Sequence, residues 1–245
     1  MNNNTVIKAE NISKIYNLQK QKTFKEFLPA LFGGKETWTK FHALSHINFE
    51  INKGESLGII GKNGSGKSTL LKLIAGVTKP SDGRITVVGN ISPLIELGAG
   101  FHPELTGREN VYLNGSILGF KRKDIDRFYK NIVEFSELEA FMDQPIKFYS
   151  TGMYMRLAFS VAVSETPDIL LVDEILAVGD IKFQQKCLDR IKEFQNQGST
   201  LVLVTHSPGQ IDTYCNQTLI LDEGKQIFFG DSSQAVKIYQ EISNK

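Results

Sequence analysis

The stretch GKNGSGKST, Gly61 to Thr69, has the spacing G-x-x-x-x-G-K-[ST] and lies between an apolar run, SLGII, and a helix-periodic run, STLLKLIAG. Those residue types in that order suit the gripping of a phosphate chain. Gly64 and Gly66 let the backbone curl until successive N–H groups face an anion. The helix start behind them adds partial positive charge. Lys67 is placed to reach β- and γ-phosphates, and the Ser68 hydroxyl to ligate Mg²⁺. Gly61, Asn63, Ser65 and Thr69 complete the contacts expected of the loop.

A second set of groups follows far along the chain. DILLVDE sets two adjacent carboxylates, Asp173 and Glu174, at the end of an apolar run that reads as a buried strand. Open α/β sheets bind their ligands at that end of their strands. Asp173 is expected to hold magnesium through water, and Glu174 to orient or deprotonate an attacking water. An acidic pair capping the next segment is the structural alternative. His206 ends the strand-like run LVLVTH at the same edge and could bond a γ-phosphate, although a strand-end histidine is often only structural. Finally, YSTGMYMRL puts a small polar cluster and one glycine immediately before a helical run, so Ser150 and Gly152 open a helix far from the phosphate loop.

The elements that must carry these groups can be read from periodicity. TVIKAENISKIY and LSHINFEI alternate as strands, SLGII and RITVVG follow, and STLLKLIAG is a helix closing at Gly76. From about Arg108 to Ala162 the pattern is helical, broken by FMDQPIKFYST. Beyond it, PDILLVDE and STLVLVTH read as strands flanking a helix with apolar residues at Phe183, Cys187, Ile191 and Phe194. Strand, helix, strand implies a parallel sheet, here with a helical block inserted into an α/β core.

Composition narrows the partners. The 245 residues carry 28 basic and 27 acidic side chains, a formal net charge of +1, so no broad field points to nucleic acid. The amino-terminal MNNNTVIKAE lacks the basic and apolar pattern of a secretory signal, and the chain reads as cytosolic. Its apolar runs are strand-sized, far short of the ~18 residues a membrane span needs. Cys187 and Cys215 read as buried thiols rather than a disulfide or zinc pair. His42 and His46 have i, i+4 spacing, but they lead into a strand and lack a third ligand.

A phosphate loop alone leaves kinases, GTPases and transport ATPases open. The order phosphate loop, helical block, YSTGM, LLVDE, AVGD and VTH resembles the ATP-binding subunit of ABC transporters across nearly the whole chain. The resemblance implies a P-loop NTPase (RecA-like) α/β core with an N-terminal antiparallel β part and an inserted α-helical subdomain. Residues 1–95 and 165–225 would form the core, 96–164 the helical subdomain with the signature segment, and 226–245 a short tail. No C-terminal carbohydrate-binding domain is expected.

By the same resemblance the cofactors are ATP and Mg²⁺. Two copies would pair head to tail, with Ser150 and Gly152 serving the γ-phosphate held by Lys67 of the opposite copy. Thr151 and Met153 depart from the family's LSGGQ, whereas a helix-end anion site depends on backbone and dipole. Asp180 in AVGD would span the dimer. Tyr16 would stack on adenine, with Trp38 and Phe41 as alternatives. Glu96 stands where most of the family has a glutamine and would sense magnesium or water, or be a solvated loop carboxylate.

LGAGFHPELTGREN and DEILAVGDIKFQQKC resemble in particular the subgroup that energises export of surface polysaccharides, O-antigen, capsule or teichoic acid, with the O-antigen type nearest. That resemblance implies an ATPase at the cytoplasmic face of the bacterial inner membrane. It would drive a separate polytopic permease, expected in two copies, handle the polysaccharide indirectly and bind no nucleic acid. A soluble ATPase acting on DNA or ribosomes is the other class. Coiled-coil arms or paired ATPase domains would mark it, and these residues have neither pattern.

An insert precedes the second strand. In TFKEFLPALFGG, Thr23 and Glu26 form a capping box and Phe24, Phe27, Leu28, Leu31 and Phe32 fall on one helical stripe, flanked by lysines. Pro29 would kink this helix. It could pack on its own domain or lie against a membrane partner or the lipid interface. Deletion of Phe24 to Phe32 is expected to leave ATP binding intact and abolish export in cells. Export that survives the deletion would exclude a membrane-facing role.

Overall fold

Three of the strands are short apolar runs without alternation, the pattern of strands covered on both faces. In the computed structural model, which describes residues 4–19, 38–95, 97–173 and 180–243, they are β3 (Ser56–Ile60), β6 (Ile169–Asp173) and β7 (Thr200–Val204). β7 pairs in parallel with both β3 and β6, and β3 also pairs in parallel with β8 (Gln217–Asp222). Side chains alternate faces along these strands, so one sheet serves two cores. Leu57, Ile59, Leu171, Val202 and Leu219 face one core, together with Leu70, Leu71 and Ile74 of α1 (Lys67–Ile74). Ile60, Leu170, Val172, Leu203 and Ile220 face the other, together with Phe183, Cys187, Ile191 and Phe194 of α5 (Ile181–Asn196). The stripe read from the sequence of α5 is thus its buried face.

The antiparallel part is built on β1 (Thr5–Gln19) and β2 (Trp38–Asn52), which pair along their length, with β4 (Asp82–Val87) on the outer side of β1. Both long strands extend past the alternating runs that announce them. Among the described residues, with β5 (Ile91–Leu94) and β9 (Lys225–Asp231), the sheet has nine strands in the order β4-β1-β2-β9-β8-β3-β7-β6-β5. β5 pairs in parallel with β6 at the edge, where Pro93 withholds no needed donor. The segment expected as a tail, 226–245, is instead built into this core. β9 pairs antiparallel with β8 and touches β2, and α7 (Ser232–Ser243) buries Ala235.

The helical block comprises α2 (Gly107–Ile117), α3 (Arg122–Ser136) and α4 (Thr151–Ala162), packed on Val111, Ile125, Ile132, Leu157 and Val161. The break expected at FMDQPIKFYST is observed. Two short 3₁₀ turns flank its start and cross it, Glu139–Phe141 and Ile146–Phe148. α2 opens with a capping box in which the Thr106 hydroxyl accepts from the Glu109 N–H while the Glu109 carboxylate accepts from the Thr106 N–H.

Within α2, Asn110 is fully buried and ties the preceding loop. Its Oδ1 accepts from the His102 N–H at 2.7 Å, and its Nδ2 donates to the carbonyls of His102, Leu105 and Thr106 at 3.1, 3.0 and 2.9 Å. Truncation would strand these backbone groups. Asn110→Ala should therefore lower the unfolding free energy by about 2–3 kcal/mol, read as a shift of the urea midpoint at constant slope.

Candidate functional site

The phosphate loop leaves β3 and enters α1 through Gly66, the helix N-cap, at φ +102°. A Cβ there would stand 2.6 Å from the Ala43 carbonyl oxygen, and one on Gly61 would stand 2.2 Å from that of Leu221. These two glycines are needed for close backbone approach. Gly64, at φ +81°, has open space on its Cβ side, which leaves its backbone free to meet a ligand. Lys67 is buried and its ammonium donates to the carbonyls of Gly61 at 2.8 Å and Lys62 at 3.0 Å, arching over the loop.

A cleft of about 480 Å³ opens over this loop. Asn63, Gly64, Gly66, Lys67, Ser68 and Thr69 line its base, Phe41 and Ala43 of β2 one wall, and Asp173 the other. Asp173 ends β6 opposite Val204 of β7, and the Thr205 N–H donates to Ile59 of β3, so three strand ends converge at one edge. Oxygen donors from Ser68 and Asp173 facing a curled, N–H-rich loop suit a triphosphate with a hard divalent cation. Among the described residues no group of three or more His, Cys, Asp and Glu side chains could hold a metal ion by itself.

The structure brings together most, not all, of the residues singled out in the sequence. Gly64, Gly66, Lys67, Ser68, Thr69, Asn63 and Asp173 share the cleft. Gly61 and Ser65 lie beneath it; Ser65 is buried, its N–H bonded to the Lys62 carbonyl and its own carbonyl accepting from Gly224. His206 is exposed just past β7, outside the cleft lining. Its neighbour Thr205 is anchored, the hydroxyl donating to Gln210 Oε1 at 2.7 Å and accepting from the Ser207 N–H at 3.1 Å. Tyr16 sits across from Phe41 in the β1–β2 register, with the Lys14 ammonium over its ring, while Phe41 lines the cleft. Glu96, Glu174 and the segment 23–33, where a helix is expected, lie outside the described residues.

Ser150 is the exposed N-cap of α4, its hydroxyl accepting from the Met153 N–H at 3.2 Å. Gly152 follows in the first turn, where a Cβ would meet nothing closer than Ser150 Oγ at 3.8 Å. Neither residue lines the cleft of its own chain, nor does Asp180, the N-cap of α5. The chain before Ser150 is pinned by Tyr149, whose hydroxyl donates to the Phe141 carbonyl at 2.8 Å. Burial pushes the Tyr149 phenol up to about 12, so it stays a donor at any physiological pH. Gly107 leaves room for it, since a Cβ there would stand 2.2 Å from the Tyr149 oxygen. Cys187 and Cys215 are buried thiols, both pushed up to about 12 by desolvation. His46 bonds Asn11 Oδ1 through Nδ1 at 2.8 Å.

Sequence reasoning overlooked Ala43, whose carbonyl is reached only through the fold, and Arg156, one turn beyond Gly152. Arg156 carries no local signal.

A phosphate loop after a parallel central strand, with a carboxylate at the end of a nearby one, defines a P-loop nucleotide-hydrolysing protein. Similarity to known proteins makes this more specific, because the sequence profile of the ABC transporter family matches residues 44–177. The chain belongs to that family. It is 45% identical over 202 residues to the O-antigen export system ATP-binding protein RfbB of Klebsiella pneumoniae, covering 82% of each chain. It is 50% identical over 199 residues to the protein of the same name in Myxococcus xanthus, spanning 46% of that protein's length. It is 40% identical over 243 residues to the teichoic acids export ATP-binding protein TagH of Bacillus anthracis, spanning 44% of it. Among solved structures, a dimeric ATP-binding cassette in a post-hydrolysis state with ADP and Pi shares the fold at TM-score 0.72 and 22% identity, covering 92% of this chain and 98% of that one. An ATP-binding subunit of an ABC transporter does so at TM-score 0.74 and 21% identity, covering 96% and 93%.

The cleft wall generates a test that separates the two aromatics. Stacking on a base contributes about 1 kcal/mol, so Phe41→Ala should weaken ATP binding roughly fivefold to tenfold. Tyr16→Ala should change it less than twofold, both measured by titration with a fluorescent ATP analogue.

Proposed function

We infer that this chain is the ATP-hydrolysing subunit that energises export of a surface polysaccharide through a separate transmembrane permease, the substrate being of the O-antigen type. The carrying observation is the 45% identity to an O-antigen export ATP-binding protein over 82% of both chains. Capsule or teichoic acid chains are the second reading, favoured by the match to a teichoic acids export protein over 99% of this chain. Among the described residues no helix is long and apolar enough to cross a membrane, which agrees with an ATPase docked peripherally on the cytoplasmic side of the inner membrane.

In the proposed cycle two copies pair head to tail and enclose two ATP molecules. Lys67 and the loop N–H groups neutralise the β- and γ-phosphates, and Phe41 covers the base. Ser68 and Asp173 would hold Mg²⁺, which supplies charge neutralisation between the β- and γ-oxygens. Ser150, Gly152 and the exposed start of α4 would approach the γ-phosphate from the partner. Support for that approach comes from the exposure of Ser150 and Thr151 and from the position of Ser150 and Gly152 outside their own cleft. Glu174 would orient the attacking water, with His206 on the γ-phosphate side and Glu96 near the cation. Cleavage removes the contacts that hold the copies together, and the dimer reopens.

Glu174→Gln should leave ATP binding intact, reduce turnover by about 10²-fold or more, and shift the protein to a dimer in size-exclusion chromatography only when ATP is present. A variant that hydrolyses at the normal rate would remove Glu174 from the mechanism.

A further inference from the structure

The start of α4 and the Asp180 corner are joined by one side chain. The Arg156 guanidinium donates through Nη2 to Asp180 Oδ2 at 2.5 Å and through Nη1 to Glu137 Oε2 at 2.9 Å, with its Cζ 4.8 Å from the centroid of the Phe183 ring. Asp180 caps α5 with its other oxygen, accepting from the Phe183 N–H at 2.9 Å. Glu137 closes α3 in the left-handed region at φ 59°, and its second oxygen takes the Lys186 ammonium, which also donates to the Phe135 carbonyl. One planar fork therefore spans the end of α3, the body of α4 and the beginning of α5. Both Asp180 oxygens are engaged within their own chain. The Asp180 carboxyl is held below the usual range, first by the Phe183 N–H, with Arg156 adding to it.

We propose that Arg156 is a positioning residue for ATP hydrolysis, clasping the helix that begins at Ser150 to the Asp180 corner that follows Asp173 in the chain. This rests on the reading that the α4 start serves a nucleotide across a dimer. Two magnitudes separate positioning from mere stabilisation. The Asp180 side chain is 60% exposed and that of Glu137 40%, so the ion pairs contribute little to folding, whereas the Arg156 side chain is only 17% exposed and its stem adds to stability by packing. An ångström-scale misplacement of a group that meets a transition state, by contrast, costs up to about 10²-fold in rate. Lysine cannot substitute, because a single ammonium does not reproduce a fork that reaches two carboxylates at once.

The test uses the purified full chain and steady-state ATP hydrolysis. Arg156→Ala should lower kcat about tenfold or more with the KM for ATP close to wild type, and Arg156→Lys, which keeps the aliphatic stem and with it the melting temperature, should recover less than half of the loss in kcat. Asp180→Asn keeps the helix cap but loses the charge. Added to Arg156→Ala, it should cost little further, giving a non-additive double-mutant cycle. A kcat within twofold of wild type in Arg156→Ala overturns the clasp. So does a parallel fall of kcat and melting temperature that lysine repairs in both. Gly152→Asp addresses the dimer reading separately. Turnover lost in Gly152→Asp but kept in Arg156→Ala overturns the clasp alone, whereas turnover kept in both overturns the dimer reading and the clasp with it.

Discussion

The phosphate loop is held by backbone lying directly on backbone. Gly61 rests on the Leu221 carbonyl and Gly66 on that of Ala43, at separations that a Cβ on either glycine would reduce to 2.2 and 2.6 Å. The contacts come from β8 and β2, the two strands that flank β9 in the sheet. The curl that aims N–H groups at an anion is thus enforced by the surrounding fold as well as permitted by glycine. Continuous burial of β3 on both faces keeps the strand that delivers the loop from shifting register. A one-residue slip would turn Leu57 and Ile59 into the opposite core.

The helical block is organised differently. Its interior is a small apolar cluster, and its functional end is set by polar anchors, namely Asn110 under the loop at 102–106, Tyr149 on the Phe141 carbonyl, and Arg156 on two carboxylates. α4 also reaches the sheet, where Phe159, Ala162 and Val163 pack with Leu170 and Val172 in the second core. In the proposed cycle the α4 start would approach and withdraw from a nucleotide held by the phosphate loop of the other copy, and these anchors would fix its shape as it does so.

Much of this was legible in the sequence, and the reasons differ by element. β3, α1, β6, β7 and α5 declare themselves through local patterns: buried runs of four or five residues, or a stripe such as Phe183, Cys187, Ile191 and Phe194. The loop motif is equally local. β5 was not foreseen because Pro93 argues against a strand, and only its edge position resolves the conflict. β8 and β9 were not assigned, and their place beside β3 and β2 is a matter of pairing partners distant in sequence. The assignment of the aromatic wall turned on register: Tyr16 and Phe41 are direct neighbours, and composition cannot tell which of two adjacent rings faces a cleft. Arg156 was invisible for a similar reason, because its two carboxylates come from α3 and from the α5 cap.

The short turn between β8 and β9 touches both halves of the site. Gly224 donates to the Ser65 carbonyl at 3.1 Å and accepts from the Ser45 N–H at 2.8 Å, close to the single register pair, Ser45 with Lys225, that joins β9 to β2. β2 carries Phe41, and Ser65 belongs to the loop that grips phosphate. With Phe41 read as the wall against a base, as proposed above, this turn would act as a caliper between the base end and the triphosphate end of a bound nucleotide. A change in its length would reset which molecules fit, favouring a shorter or longer span from ring to terminal phosphorus, without altering a single group that performs the chemistry.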